Sequence, residues 1–397
     1  MMVAPKLRFK ADDGSEFPAW EKKTLGDIVE RVTRKNRDNQ TDVPLTISSL
    51  DGLVDQRDYF KKTVASKDMS GYFLLQNGEF AYNKSYSVGF DYGSIKRLDR
   101  YPCGALSTLY ICFGLKPNVD IDSDYLTHYF DSQKWNSEVA AICAEGARNH
   151  GLLNVSTSDF FDINIMSPSL PEQRKISDFL FAVDAVIAAQ QAEVDAWEQR
   201  KKGVMQKLFS QEVRFKADDG SEFPDWTKTR LNKLCEYRTN RGTGRNYIGT
   251  ENMLKDFEGV AVENGESEGT GSLYEPGDTL MSNIRPYLKK VWTADCEGAC
   301  STDVLVFHPT NVVPDFLHYV IASDSFVAYV MSAAKGSKMP RGDKAHIMQM
   351  PVFAPDKDEQ RKIADCLASM DEVIQKSKGE LAKWQELKKG LLQQMFV

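Results

Sequence analysis

At 397 residues the chain is long enough for two or three separate cores. A 42% hydrophobic and 27% charged composition excludes a disordered polymer. No apolar run nears the roughly 18 residues of a membrane span, and the opening Met1 to Phe9 lacks a signal-peptide core, so a cytoplasmic protein without membrane contact is expected. Taken globally, the net charge of −7 argues against nucleic acid as a partner.

In chain order the first element is a short head, Arg8-Phe9-Lys10-Ala11-Asp12-Asp13-Gly14-Ser15-Glu16-Phe17-Pro18, followed by Trp20. It recurs without a change at Arg214 to Pro224, with Trp226, at an offset of 206. Behind the first head lies a variable body, about Glu21 to Leu170, and then a tail whose Glu172-Gln173-Arg174-Lys175-Ile176 returns as Glu359-Gln360-Arg361-Lys362-Ile363. The second body, about Thr227 to Asp356, is shorter. Both bodies read as mixed α/β, with short strands after glycine at Phe80-Ala81-Tyr82 and Thr279-Leu280-Met281, and with helices predicted over Asp124 to Ala144 and Asp315 to Ala334. Gly104 to Thr108 resembles Gly298 to Thr302, so the two bodies are expected to share one fold.

The tails read as long helices. Ile176, Leu180, Val183, Ile187, Val194 and Trp197 step by three and four, and Ile363, Leu367, Met370, Ile374, Leu381 and Trp384 repeat the seam. About 38 helical residues make a rod of roughly 57 Å whose narrow apolar stripe needs a partner helix, and the other tail is the obvious one. Only Ser210, Gln211 and Glu212 lie between the first tail, ending at Phe209, and the second head, which with its preceding residue begins at Val213, while the second tail ends at Phe396 beside the C-terminus. This order predicts a two-unit ring cut once, pseudo-twofold symmetric, with antiparallel tails and neighbouring termini.

Catalytic patterns are missing from the sequence. There is no GxGxxG after a strand, no GxxxxGK[ST] loop, no AsnProPro or AspProPro, no serine elbow and no paired metal-ligand histidines among His128, His150, His308, His318 and His346. The seven cysteines form no CxxC, and only Cys296 and Cys300 hint at zinc. No catalytic residue and no metal ligand is therefore assigned. Instead, basic residues gather in loops: Thr227 to Arg245 holds six against the single acid Glu236, and Lys335 to Gln349 holds four against Asp343. Arg31, Arg34, Lys35 and Arg37 form a smaller cluster in the first body. Acids collect elsewhere, with eight between Glu251 and Asp278, so the global charge averages surfaces of opposite sign. The loops that recur in both bodies are the candidate DNA contacts. They are Lys84, Ser85 and Tyr86 with Arg148, Asn149 and His150 in the first body, and Asn283, Arg285 and Tyr287 with Lys338, Arg341 and Lys344 in the second. Arginine and asparagine can read purine edges bidentately, while lysine and serine more often hold phosphate.

Two diverged bodies, each followed by Glu-Gln-Arg-Lys-Ile and a heptad helix carrying Lys-Lys-Gly, resemble the specificity subunit of a type I restriction-modification system over nearly the whole chain. The resemblance implies target recognition domains at 1–170 and 213–357 and spacer helices at 171–212 and 358–397. Each domain would read one half of a bipartite, asymmetric double-stranded DNA target. The helices, packed through Ile176, Leu180, Ile187, Trp197, Ile363, Leu367, Ile374 and Trp384, would set the gap and help bind two methyltransferase subunits, which restriction subunits join. S-adenosylmethionine, ATP and magnesium would then belong to those partners and not to this chain. Two other readings compete: a stand-alone nuclease or methyltransferase of unfamiliar motif, and a coiled-coil scaffold that never touches DNA.

Overall fold

In the computed structural model, which describes residues 4–60, 65–143, 152–261 and 267–397, the repeated head folds onto the repeated start of the tail. Arg8 reaches Glu172 with two nitrogens, at 2.9 and 2.7 Å, and also donates to the carbonyl of Pro18 at 2.8 Å. Arg214 does the same to Glu359 at 3.1 and 2.8 Å and to the carbonyl of Pro224 at 2.6 Å. Both glutamates are fully buried. The neighbouring glutamines tie the tail to the body: Gln173 accepts from the Asp122 amide at 2.7 Å and donates to the Pro168 carbonyl at 2.8 Å. Gln360 makes the matching pair of bonds with Val313 and Pro355. Each copy of the Glu-Gln motif therefore holds a head on one side and a body on the other.

The chain divides into two compact units, Met1–Ala192 with Lys378–Val397, and Glu193–Ser377. In the first, the central antiparallel sheet runs Val29–Arg31, Ile111–Leu115, Phe80–Asn83, Ser94–Arg97. In the second, Cys235–Tyr237, Val304–Pro309, Thr279–Ser282 and Val291–Thr293 take the same order. The shared strand is launched from the same turn in both, where Gly78 at φ 85° and Gly277 at φ 87° adopt a left-handed backbone that disfavours a side chain. A two-stranded ribbon closes each body on itself, Glu21–Thr24 with Asn164–Ser167 and Thr227–Arg230 with Pro351–Ala354. The first core is aromatic, with Phe80 stacked on Phe113 at 5.5 Å and Tyr82 on Phe160 at 4.7 Å. The second is more aliphatic, around Leu305, Phe307, Leu317 and Ile321.

The tails are helices of 40 residues, Leu170–Phe209, and 39 residues, Lys357–Met395. In each unit the front of one lies against the back of the other, as an antiparallel pair requires. Asp184 pairs with Lys388 at 2.6 Å in the first unit, and Asp371 with Lys201 at 2.5 Å in the second. Ile176, Leu180, Ile363, Leu367 and Ile374 are buried, whereas Ile187, Trp197 and Trp384 are only half-buried. The end of each tail enters a core: Phe396 lies 5.5 Å from Tyr125, and Phe209 lies 5.7 Å from Phe316. The junction cut by the termini keeps the same bond as the intact one. The Leu7 amide donates to the Gln394 carbonyl at 3.0 Å, as the Val213 amide does to Lys207 at 3.3 Å.

The body helices depart from expectation. Each predicted single helix is two, Ser123–Asp131 and Asn136–Ile142 in the first body, and Pro314–Ile321 and Asp324–Ser332 in the second. In the first body Gln133 takes a left-handed conformation, φ 58°, that a helix does not admit. In the second, Ser323 accepts from the Phe326 amide and starts a new helix as its cap.

Removing Arg8 strands a buried carboxylate, so Arg8→Met should destabilise the protein by about 3–5 kcal/mol, seen as a fall in the urea midpoint. The double variant Arg8→Met, Glu172→Leu should recover most of that loss.

His128 supplies a pH test. It is buried with both ring nitrogens lacking a hydrogen-bond partner among the described residues, and the Asp184 carboxylate is 4.0 Å away. In the second unit Tyr319 donates to the matching Asp371 at 2.8 Å. Burial, assisted by Lys388, pushes the His128 pKa down to about 4. The native ring thus refuses a proton that the unfolded chain accepts near 6.5, and stability falls as pH drops from about 6.5 towards 4. His128→Tyr should lessen that slope in a plot of melting temperature against pH without abolishing it, because burial pushes the His318 pKa down to about 4 as well; an unchanged slope would contradict the assignment.

Candidate nucleic-acid interface

The second unit brings five of its six candidate residues onto two loops that are zipped together, and the sixth, Lys344, opens the helix that follows them. The chain leaves strand Thr279–Ser282, and Arg285 turns into a left-handed conformation, φ 51° and ψ 62°, ahead of a 3-10 turn at Pro286–Leu288. Its amide donates to the Pro340 carbonyl at 2.8 Å, and Ile284 bridges antiparallel to Arg341. Lys335 and Arg341 exchange backbone bonds of 2.9 Å each, which closes a tight loop around Lys338 and Met339. The result is a strap that projects Tyr287, Lys338 and Arg341 into solvent, with Lys344 exposed at the start of the short helix Lys344–Ile347 that follows.

The six side chains are not equivalent. Asn283 is 7% exposed, and its amide donates to the Asp303 carbonyl at 2.7 Å. It supports the strap from beneath. Gly342 packs on it so closely that a Cβ there would lie 2.9 Å from Asn283 Oδ1 and 2.7 Å from Val330 Cγ1. Arg285 is half-buried, with its Nε enclosed and unpartnered among the described residues. Arg341 is half-exposed and aimed by Asp303 at 3.1 Å. Asp303 was not singled out from sequence, because its link to Arg341 is spatial only.

The first unit builds a related pairing. Asn83 accepts from the Ser85 amide at 3.0 Å, Ser85 bridges to Leu152, and the Leu153 amide donates to the Lys84 carbonyl at 2.9 Å. The segment entering from residue 152 therefore lies beside Lys84–Tyr86 as Arg341 lies beside Ile284. Tyr86 is exposed, and the Lys84 ammonium faces the Val155 carbonyl at 3.5 Å beside an open cavity of about 370 Å³. Arg148, Asn149 and His150 lie outside the described residues.

Part of the basic charge counted in sequence is consumed inside the protein. Arg34 pairs with Glu79 at 2.8 Å, and Lys35 donates to the Gly71 carbonyl and sits over Phe73. Arg238 pairs with Glu275 at 2.6 Å and with buried Asp278 at 2.5 Å. Burial pushes the Cys300 thiol up to about 12 and raises that of Cys296, so both are protonated thiols in the metal-free chain. Among the described residues no group of His, Cys, Asp and Glu is placed to hold a metal ion, and no helix is long and apolar enough to cross a membrane.

Residues 19–196 match the family model described as the type I restriction modification DNA specificity domain. The chain is 21% identical to the type I restriction enzyme MjaVIII specificity subunit of Methanocaldococcus jannaschii, over 99% of this chain and 96% of that one. The whole chain is thus similar to type I specificity subunits, and the family model itself matches residues 19–196. It is also similar to the type I restriction enzyme EcoDI specificity subunit of Escherichia coli, 22% identical over 64% of this chain and 66% of that one. The fold is similar to that of the type I restriction-modification S subunit from M. genitalium, with a TM-score of 0.56 across 100% of this chain and 99% of that one, at 14% identity. The second unit, which lies almost wholly outside the matched residues 19–196, repeats the central sheet order and the paired loops of the first.

Arg285→Ala and Arg341→Ala should each relax base preference in one part of the DNA target only, at a cost of about 1–3 kcal/mol, measured by competition between duplexes. Equal loss over the whole target would contradict the separate roles of the two bodies.

Proposed function

We propose that each body reads one half of a split, asymmetric DNA sequence and that the tail helices fix the spacing between the halves. The observation that carries this is one scaffold bearing two different surfaces. The same pair of loops presents Lys84, Ser85 and Tyr86 in one body and Arg285, Tyr287, Lys338 and Arg341 in the other. Modules with a shared fold and different side chains read different short sequences, and a rigid spacer sets their separation as it does between the half-sites of dimeric repressors. At 1.5 Å per residue, helices of 40 and 39 residues are each about 60 Å long.

In this reading the chain recognises DNA and its partners perform the chemistry. Two methyltransferase subunits holding S-adenosylmethionine, and restriction subunits using ATP and magnesium, would join it in the cytoplasm. The tail helices are the surface for the methyltransferases, with Phe179, Phe181 and Leu387 exposed on them.

Genome-wide mapping of methylated adenine in cells with and without the gene tests the proposal. A bipartite motif with a fixed gap should vanish on deletion. A motif that survives, or one that is continuous, would overturn it.

A further inference from the structure

Beside the strap of the second unit lies a cleft of about 210 Å³ that the strap does not use, lined by Tyr237, Arg238, Thr239, Arg241, Ser272 and Lys344. One wall is a β-ribbon in which Arg241–Gly244 pairs antiparallel with Gly269–Tyr274, placing Arg241 opposite Ser272 and Thr243 opposite Thr270. Side chains alternate along a strand, so these four share one face. The two threonine hydroxyls meet at 2.8 Å, and Arg241, Thr243 and Thr270 are exposed. The glycines between them face inward, where there is little room: a Cβ on Gly242 would lie 3.2 Å from Leu273, and one on Gly244 would lie 3.1 Å from the backbone of Ala299. The alternation thus lays the ribbon flat on the scaffold and turns Arg241 and the hydroxyls outward.

The charges in the cleft divide into two kinds. Arg238 is committed to Glu275 and Asp278, and His308 completes that cluster at 2.8 Å from Asp278. Arg241 and Lys344 have no carboxylate partner among the described residues. Two uncompensated cations lining one cleft repel each other and favour a shared anion. Lysine, arginine, serine, threonine and tyrosine are also the side chains that contact phosphate oxygens when a protein is set on a duplex. Lys344 joins the cleft to the strap, since it lies three residues beyond Arg341 and its carbonyl accepts from the Tyr237 hydroxyl at 3.2 Å.

We propose that this cleft holds a backbone phosphate of the DNA whose base edges the strap reads, with Arg241 and Lys344 neutralising it and the Ser272 and Thr239 hydroxyls within its walls. The inference rests on the DNA-reading role proposed above and adds a division of labour to it. The strap selects sequence, and the ribbon sets the register of the duplex without selecting.

The full-length chain, incubated with a pool of random-sequence duplexes at salt concentrations from ~50 to ~200 mM, tests this when bound DNA is both quantified and sequenced. Arg241→Ala and Lys344→Ala should each reduce the slope of log K against log salt by about 1, a roughly fourfold smaller change across that range, and leave the selected motif intact. Arg241→Lys should keep the wild-type slope, because a point charge suffices for a phosphate. Wild-type slopes in both alanine variants, an altered motif, or loss of slope in Arg241→Lys would each overturn the proposal. A wild-type chain that shows no salt-dependent binding would instead remove the DNA-reading role itself.

Discussion

A buried glutamate held by an arginine from the other end of its module is the interaction on which the rest of the structure depends. Glu172 and Glu359 have no exposure, and a carboxylate in that position is tolerable only while its guanidinium is present. Arg8 is 164 residues from its partner, and Arg214 is 145 from its own. Each pair therefore closes a loop containing an entire body. The adjacent glutamine then fixes the tail to the loop before the first body helix, so head, body and tail are locked at one point. Because the partners lie in the head and the tail, the body between them can change its surface without disturbing the lock. That explains why the eleven head residues are identical in the two copies while the bodies have drifted.

The same logic governs the recognition surface. The sheet order, the turn glycines Gly78 and Gly277, and the backbone pairing of two loops recur in both units, and the side chains carried by those loops do not. Net charge is a poor guide to such a surface. Arg34 and Arg238 are neutralised within their units, while Arg241, Lys338 and Lys344 face solvent, so a chain of charge −7 can present a positive face to DNA.

Much of this was legible in the sequence, because the repeat supplies two readings of one fold. The tails follow from a seam that recurs residue for residue, and they run 40 and 39 residues where about 38 were expected. The central strands follow from glycine and an apolar run. The breaks at Gln133 and Ser323 were not legible, since neither residue is a strong helix breaker and the apolar period continues across both. Nor was the role of Asn283, which resembles a base-reading residue by type and is instead buried under the strap. The partners of Arg238 lie 37 and 40 residues away, so a local charge count overstated its availability. The ribbon around Arg241 was present as alternating glycine, but only the pairing with Gly269–Tyr274 shows that Arg241 shares a face with Thr243, Thr270 and Ser272.

The central claim is that the head and tail form a fixed lock and that the body between them is an interchangeable reader. A chain in which residues 227–354 replace residues 21–167, with both heads and both tails untouched, tests it most directly when its methylated motif is mapped in cells. The account predicts a motif containing the half-site of the second body twice, with the gap unchanged. A folded chimera that retains the half-site of the first body, or that specifies no motif, would contradict it.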